Sequence, residues 1–176
     1  MTIQDIKQNL YAYRNGVVAD SLRKSGDPHH IIFGLLLPQL SEIALLIGKD
    51  KAIATELWSQ RTSRECRLLA PMVYPPEDLS PSLGKEMIAE ALNKEEIDIL
   101  CFKLLSRTPC AQELANEMIQ CSSGNDNFAY AAPRLILNLM AQGKITDKES
   151  VLQQLSPLSA TSVLSVKQML EQINEH

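Results

Sequence analysis

The side chains of this chain best suited by type and spacing to do chemistry are cations. Arg61, Arg64 and Arg67 form the densest basic cluster, and the i,i+3 spacing of Arg64 and Arg67 puts both on one face of a helix. Guanidinium groups so arranged can grip a phosphate or an acidic partner. The alternative is that Glu65 and nearby acids neutralise them, or that Arg67 braces a neighbouring helix. Lys103 and Arg107 add a smaller patch one turn apart, on a helix that also carries Glu95, Glu96 and Asp98, so its field is mixed. Lys94 and Asp98 lie at i,i+4 and read as a surface ion pair worth about 0.3 kcal/mol.

Other chemistries find no template. Cys66, Cys101, Cys110 and Cys121 show no Cys-x-x-Cys spacing and read as buried free thiols. His29 and His30 are adjacent and His176 is the last residue, so no spacing suggests a metal site. There is no Gly-rich phosphate loop, serine nucleophile elbow or His-containing triad pattern. No metal and no cofactor is expected.

Charge narrows the partners. The net charge of −4 argues against a general nucleic-acid binder, because phosphate contacts supply most of that affinity. The distribution is uneven. Residues 1–67 carry nine Lys+Arg against seven Asp+Glu, while residues 68–176 carry eight against fourteen. A modestly basic first half can touch phosphate, and an acidic second half repels it.

The elements that must position these groups are helices. The chain has 176 residues, 45% of them hydrophobic but only 5% aromatic, so its core must come from Leu, Ile, Ala and Met. That favours helix-on-helix packing, since sheets draw on β-branched and aromatic residues. One domain spanning 1–176 is expected. The polar start lacks a signal-peptide centre and the longest apolar run, 31–38, is too short to span a bilayer, which points to a soluble, cytoplasmic protein without a membrane partner.

Local signals divide the chain. A helix over 36–46 stops at Gly48, and a second runs from Asp50 to about Ser59. Thr62 with Glu65 has capping-box spacing for the next, which Tyr74-Pro75-Pro76 ends. Ser80-Pro81, Asn93 with Glu96, and Thr108-Pro109 mark three further starts. Asp126 to Ala141 is helical with Pro133 as a kink or a true beginning. Gly143 stops it, Thr146 with Glu149 caps another, and a helix through Leu164 and Leu170 closes the chain. Short connections imply antiparallel neighbours, and pairing them gives a period of about 35–45 residues, the HEAT range. The reading is an all-α HEAT-like, armadillo-type superhelix of antiparallel helix pairs, with a globular bundle as the alternative.

The stretch Phe33 to Ala70, FGLLLPQLSEIALLIGKDKAIATELWSQRTSRECRLLA, contains Gly34, Pro38, Ile43, Gly48, Leu57, Trp58, Glu65, Arg67, Leu69 and Ala70. In these details the chain resembles the DNA alkylation repair (AlkD-like) family of HEAT-like repeat DNA glycosylases, over roughly residues 25–140. The resemblance implies a solenoid whose basic concave face cradles duplex DNA. It also implies cleavage of the N-glycosidic bond of alkylated purines such as 3-methyladenine and 7-methylguanine. The family's catalytic aspartate then matches Asp98, with Phe102 one turn later as an aromatic face. One turn before Asp98, where the family has tryptophan, stands Lys94. In FAYAAPRLIL the family's arginine aligns with Ala131, and Arg134 follows three residues on. Trp58 occupies a packing position of the repeat. The chain is shorter than the family pattern, so part of the DNA-embracing arc is expected to be missing.

Two functions follow as expectations. The favoured one is a catalytically degenerate scaffold that binds nucleic acid or a protein through Arg61, Arg64, Arg67, Lys103, Arg107 and Arg134. The alternative is an active glycosylase using Asp98 with Phe102 and Arg134.

Overall fold

The computed structural model describes residues 1–145, 147–159 and 163–175, with Lys148 described by its backbone alone. Internal contacts gather into two compact units, Met1–Asp78 and Leu79–His176.

The first unit contains α1 (Ile3–Ala12), α2 (Gly16–Lys24), α3 (Leu37–Ile47), α4 (Lys51–Ser59) and α5 (Arg64–Val73). The first two helices lie in the stretch that reads only as polar in the sequence. A Thr2–Asp5 capping box starts α1, and the Asn15 side chain accepts from Val17 and Val18 amides to start α2. The unit is centred on α5, every residue of which is buried, and which packs against α3 and α4. Cys66, Leu68, Leu69, Ala70, Met72 and Val73 supply its apolar packing, and Arg64, Glu65 and Arg67 are buried with them by partners on other elements. The helix stops at Tyr74, whose ψ of 131° is the extended conformation that the following proline imposes.

The second unit contains α6 (Pro81–Ala89), α7 (Lys94–Ile99), α8 (Ala111–Gln120), α9 (Asp126–Ala141), α10 (Lys148–Gln154) and α11 (Leu164–Glu175). Here α9 is central, contacting α6, α7, α8 and α11. Pro133 sits inside α9 and is buried, so it neither begins nor ends the helix. The helix α7 does not close regularly. It widens into a π-helical stretch, Leu100–Leu104, then tightens into a 3₁₀ turn, Leu105–Arg107. Such local changes of pitch re-aim side chains and recur at functional positions.

Among the described residues the structure is all-α and has no strand; one isolated parallel bridge joins Ile31 to Ser63. No helix among them is long and apolar enough to cross a membrane. Four local expectations are corrected. The N-cap of α5 is Ser63 rather than Thr62, and the Glu65 side chain is committed elsewhere. The helix expected from Thr108-Pro109 starts at Ala111, because the Thr108 hydroxyl turns back to donate to the Leu105 carbonyl. Asp147 caps α10; Thr146 and His176 lie outside the described residues. Of the four thiols only Cys66 and Cys101 are buried, while Cys110 is half-buried and Cys121 exposed.

Candidate nucleic-acid interface

The arginine cluster of the first unit is mostly internal. Glu65 is fully buried, and its Oε1 accepts from the Gly34 amide at 2.9 Å and from Arg64 Nη1 at 2.9 Å, while its Oε2 accepts from the Phe33 amide at 3.0 Å. Arg64 also donates to the Leu35 carbonyl at 3.2 Å, and its Nε lies 4.0 Å from Asp27. Asp27 in turn holds the buried His29 ring at 2.7 Å. This network fixes the 31–35 segment against the start of α5. Gly34 has φ +81°, and a Cβ there would lie 2.2 Å from the Asn15 carbonyl oxygen. Glycine is required by that close approach as well as by the backbone conformation.

Arg67 is 1% exposed. Its guanidinium lies 3.3 Å from the centre of the Trp58 ring and donates to the Trp58 carbonyl at 2.9 Å. The expectation that Arg64 and Arg67 reach out to a phosphate is therefore corrected. A carboxylate, backbone carbonyls and an indole already satisfy them, and extraction would leave Glu65 buried and without its cation. Arg61 alone of the three is on the surface. Trp58 is half-buried in its packing position, with Arg67 as its stacking partner.

In the second unit α7 and α9 bring together residues 36 apart in sequence. The Asp98 Oδ1 accepts from Arg134 Nε at 2.8 Å and from the Tyr130 hydroxyl at 3.0 Å. Tyr130 and Arg134, one turn apart on α9, share the face turned toward α7. Both bonds fall on the same carboxylate oxygen, and Asp98 and Arg134 keep about a third of their side-chain surface in water, at 31% and 37%. Burial pushes the Asp98 carboxyl above its usual range, against the pull of Arg134 and Tyr130. Burial and the neighbouring carboxylate push the Tyr130 phenol up to about 12. The phenol thus remains a proton donor at neutral pH.

The remaining candidates lie along the segment that carries Asp98. Lys94 does not pair with Asp98. Its Nζ donates to the Ser165 hydroxyl at 2.8 Å and stands 5.2 Å from the centre of the Tyr130 ring. Phe102 falls in the π-helical stretch and is 46% exposed, with Lys103 Nζ 5.0 Å from its ring centre. The aromatic group bonded to Asp98 is Tyr130. Arg107 is exposed at the end of the 3₁₀ turn. Burial and the charge of Arg107 both lower the Lys103 pKa, which places these two cations near each other. Asp98 thus contacts Arg134 and Tyr130, while Phe102, Lys103 and Arg107 lie further along the same segment, in its π-helical stretch and 3₁₀ turn. Surface cations and an exposed ring of this kind can hold phosphate and stack against a sugar or base. Among the described residues no cluster of three or more His, Cys, Asp or Glu side chains could hold a metal ion.

Tyr130 is the participant that the sequence reading missed. Its signal is the i,i+4 spacing with Arg134 in YAAPR, legible only when Pro133 is accepted inside a continuous helix.

With this geometry established, comparison with known proteins adds one finding. A solved structure superposes with a TM-score of 0.83 over 98% of this chain and 74% of its own, at 19% identity. It is described as "a new family of proteins related to the HEAT-like repeat DNA glycosylases with affinity for branched DNA structures". The chain has the HEAT-like repeat fold. No family sequence model matches it, and no curated protein sequence does. At this identity the likeness is one of architecture, and the HEAT-like reading made from helix spacing agrees with it.

Proposed function

We propose that this protein is a DNA-binding HEAT-like repeat scaffold, soluble and cytoplasmic, that binds without cleaving the glycosidic bond. The observation that carries the reading is the fold likeness across 98% of the chain to a protein related to DNA glycosylases with affinity for branched DNA. Lys103, Arg107 and Arg134 are the phosphate contacts of the second unit, Phe102 its exposed aromatic face, and Arg61 a contact of the first.

Degeneracy is supported by two departures from the family pattern and one ion pair. Lys94 replaces the tryptophan that the resemblance calls for, Ala131 replaces its arginine, and Asp98 already carries a counter-ion in Arg134. A carboxylate that must stabilise a sugar cation does so best when its charge is directed at that sugar. The Arg134 contact cancels much of that charge.

A second reading rests on Asp98, Arg134 and Tyr130. The Asp98 Oδ2 carries no hydrogen bond from the described residues while Oδ1 is fixed by Arg134 and Tyr130, as an oriented catalytic carboxylate would be. The two readings separate on base release from methylated duplex DNA. The scaffold reading predicts no 3-methyladenine or 7-methylguanine above the uncatalysed background, with wild type and Asp98→Asn indistinguishable. Release that Asp98→Asn abolishes would establish the glycosylase instead.

A further inference from the structure

The first unit also carries a surface groove, beside the 31–35 segment that the buried Arg64–Glu65 network holds in place. A groove of about 370 Å³ is lined by Tyr11, Arg14, Arg23, His30 and Phe33 among others, with no acidic residue in its wall. Tyr11 and Phe33 also wall an adjoining groove of about 400 Å³, together with Gln4, Lys7 and Gln8. The cations are held in place rather than left to wander. Arg14 lies 3.9 Å from the centre of the Tyr11 ring and donates to the Tyr11 carbonyl at 3.0 Å. Arg23 pairs with Asp20 at 2.9 Å and donates to the Ile32 carbonyl at 3.3 Å. Lys7 donates to Gln60 at 2.8 Å.

These partners leave each guanidinium with further N–H donors. Tyr11, 58% exposed, carries Arg14 over one ring face and walls both hollows, with the half-buried Phe33 beside it. A positively charged groove beside exposed aromatic faces is the arrangement that takes a single strand: phosphates follow the cations, and bases stack on the rings without regard to sequence. A duplex fits it poorly, because its bases are already stacked on one another. Each groove falls in the volume range that accommodates a small flat ligand.

We propose that the Tyr11–Arg14–Arg23–His30 groove binds an unpaired nucleotide of a nucleic-acid strand, the base against Tyr11 and Phe33 and the phosphate at Arg14, Arg23 and His30. The inference rests on the DNA-binding reading and deepens it. Branched DNA differs from linear duplex in exposing unstacked bases where strands diverge, and this groove is the feature of the first unit suited to them.

The test titrates fluorescein-labelled oligo-dT, a blunt duplex and a splayed fork against the full-length protein at low salt. Wild type, Tyr11→Ala, Tyr11→Phe and the double variant Arg14→Ala with Arg23→Ala are compared. These side chains are largely on the surface, and circular dichroism melting confirms that the variants are folded. The expected result is a five- to twentyfold loss of oligo-dT and fork affinity in Tyr11→Ala and in the arginine double variant, near-wild-type binding in Tyr11→Phe, and duplex affinity changed less than twofold in Tyr11→Ala. Equal oligo-dT affinity in wild type and Tyr11→Ala, with duplex still bound, overturns the groove and leaves the DNA-binding reading standing. Oligo-dT affinity that Tyr11→Ala abolishes, in a protein whose fork affinity does not exceed its oligo-dT affinity, supports the groove and overturns the branched-DNA reading. Binding of no probe overturns both.

Discussion

At the scale of single residues, the central fact is that Asp98 is neither a solvated surface charge nor a bare carboxylate. It sits half-buried against Arg134 and Tyr130. The phenol reports this most directly, because burial and the adjacent carboxylate hold its proton up to about 12. An unfolded tyrosine titrates near 10, so the folded state keeps the proton longer. Stability contributed by the protonated phenol is complete below pH ~10 and is lost as pH rises from there toward the folded value. Ultraviolet titration should show late tyrosine ionisation to which Tyr130 contributes, and Tyr130→Phe should diminish that late step. A titration unchanged by Tyr130→Phe would mean that the phenol does not face Asp98. Arg134→Ala is expected to raise the Asp98 pKa further, because desolvation then acts without its main opponent. Carboxyl chemical shifts followed through the acid range by NMR would register the change.

At the scale of elements, α5 and the 31–35 segment stand or fall together. Gly34→Ala introduces both an unfavourable φ and a Cβ 2.2 Å from the Asn15 carbonyl oxygen and 2.7 Å from the Ala19 nitrogen. Destabilisation of about 3 kcal/mol or more is expected from strain and backbone displacement combined. Glu65→Gln keeps the shape but leaves Arg64 buried beside a neutral amide, and should cost about 3 kcal/mol in denaturant unfolding. Arg64→Glu with Arg67→Glu, a natural choice for probing phosphate contacts, should instead unfold the first unit. Thermal melts would show a lowered Tm before any DNA effect could be interpreted.

These elements also mark what the sequence made legible. Helix ends were readable where a single local device decides them: Gly48 after α3, Asp50 before α4, Ser80-Pro81 before α6, Asn93 before α7. Each acts within one turn of the backbone. Roles that depend on a distant partner were not readable. Glu65 has capping-box spacing yet spends its carboxylate on amides 30 to 32 residues away. Arg64 and Arg67 look like a surface patch because periodicity places them on one face but does not say that every face of α5 is buried. Lys94 and Asp98 have ion-pair spacing, and tertiary packing gives each a different partner. The departure of α7 into a π-helical stretch has no signal in LCFKL itself, so the register of Phe102 relative to Asp98 could not be read.

At the scale of the whole molecule, the DNA-binding function proposed above requires a chain of net charge −4 to act through a few localised cations rather than a broad field. Each phosphate neutralised contributes about 0.9 to the slope of log affinity against log salt on duplex. About four contacts, from Arg61, Lys103, Arg107 and Arg134, therefore give a slope of about −3.6. Charge reversal at Lys103 and Arg107 should reduce that slope by about two. A slope that is steep and indifferent to these residues would move the interface elsewhere.

The most direct measurement is the anisotropy of a fluorescein-labelled four-way junction and a matched linear duplex, titrated with the full-length protein at low salt. The account predicts saturable binding, tighter for the junction, and at least fivefold weaker when Lys103, Arg107 and Arg134 are changed together to glutamate while the fold is retained. No binding of either DNA at low salt, or binding that the triple variant leaves intact, would contradict it.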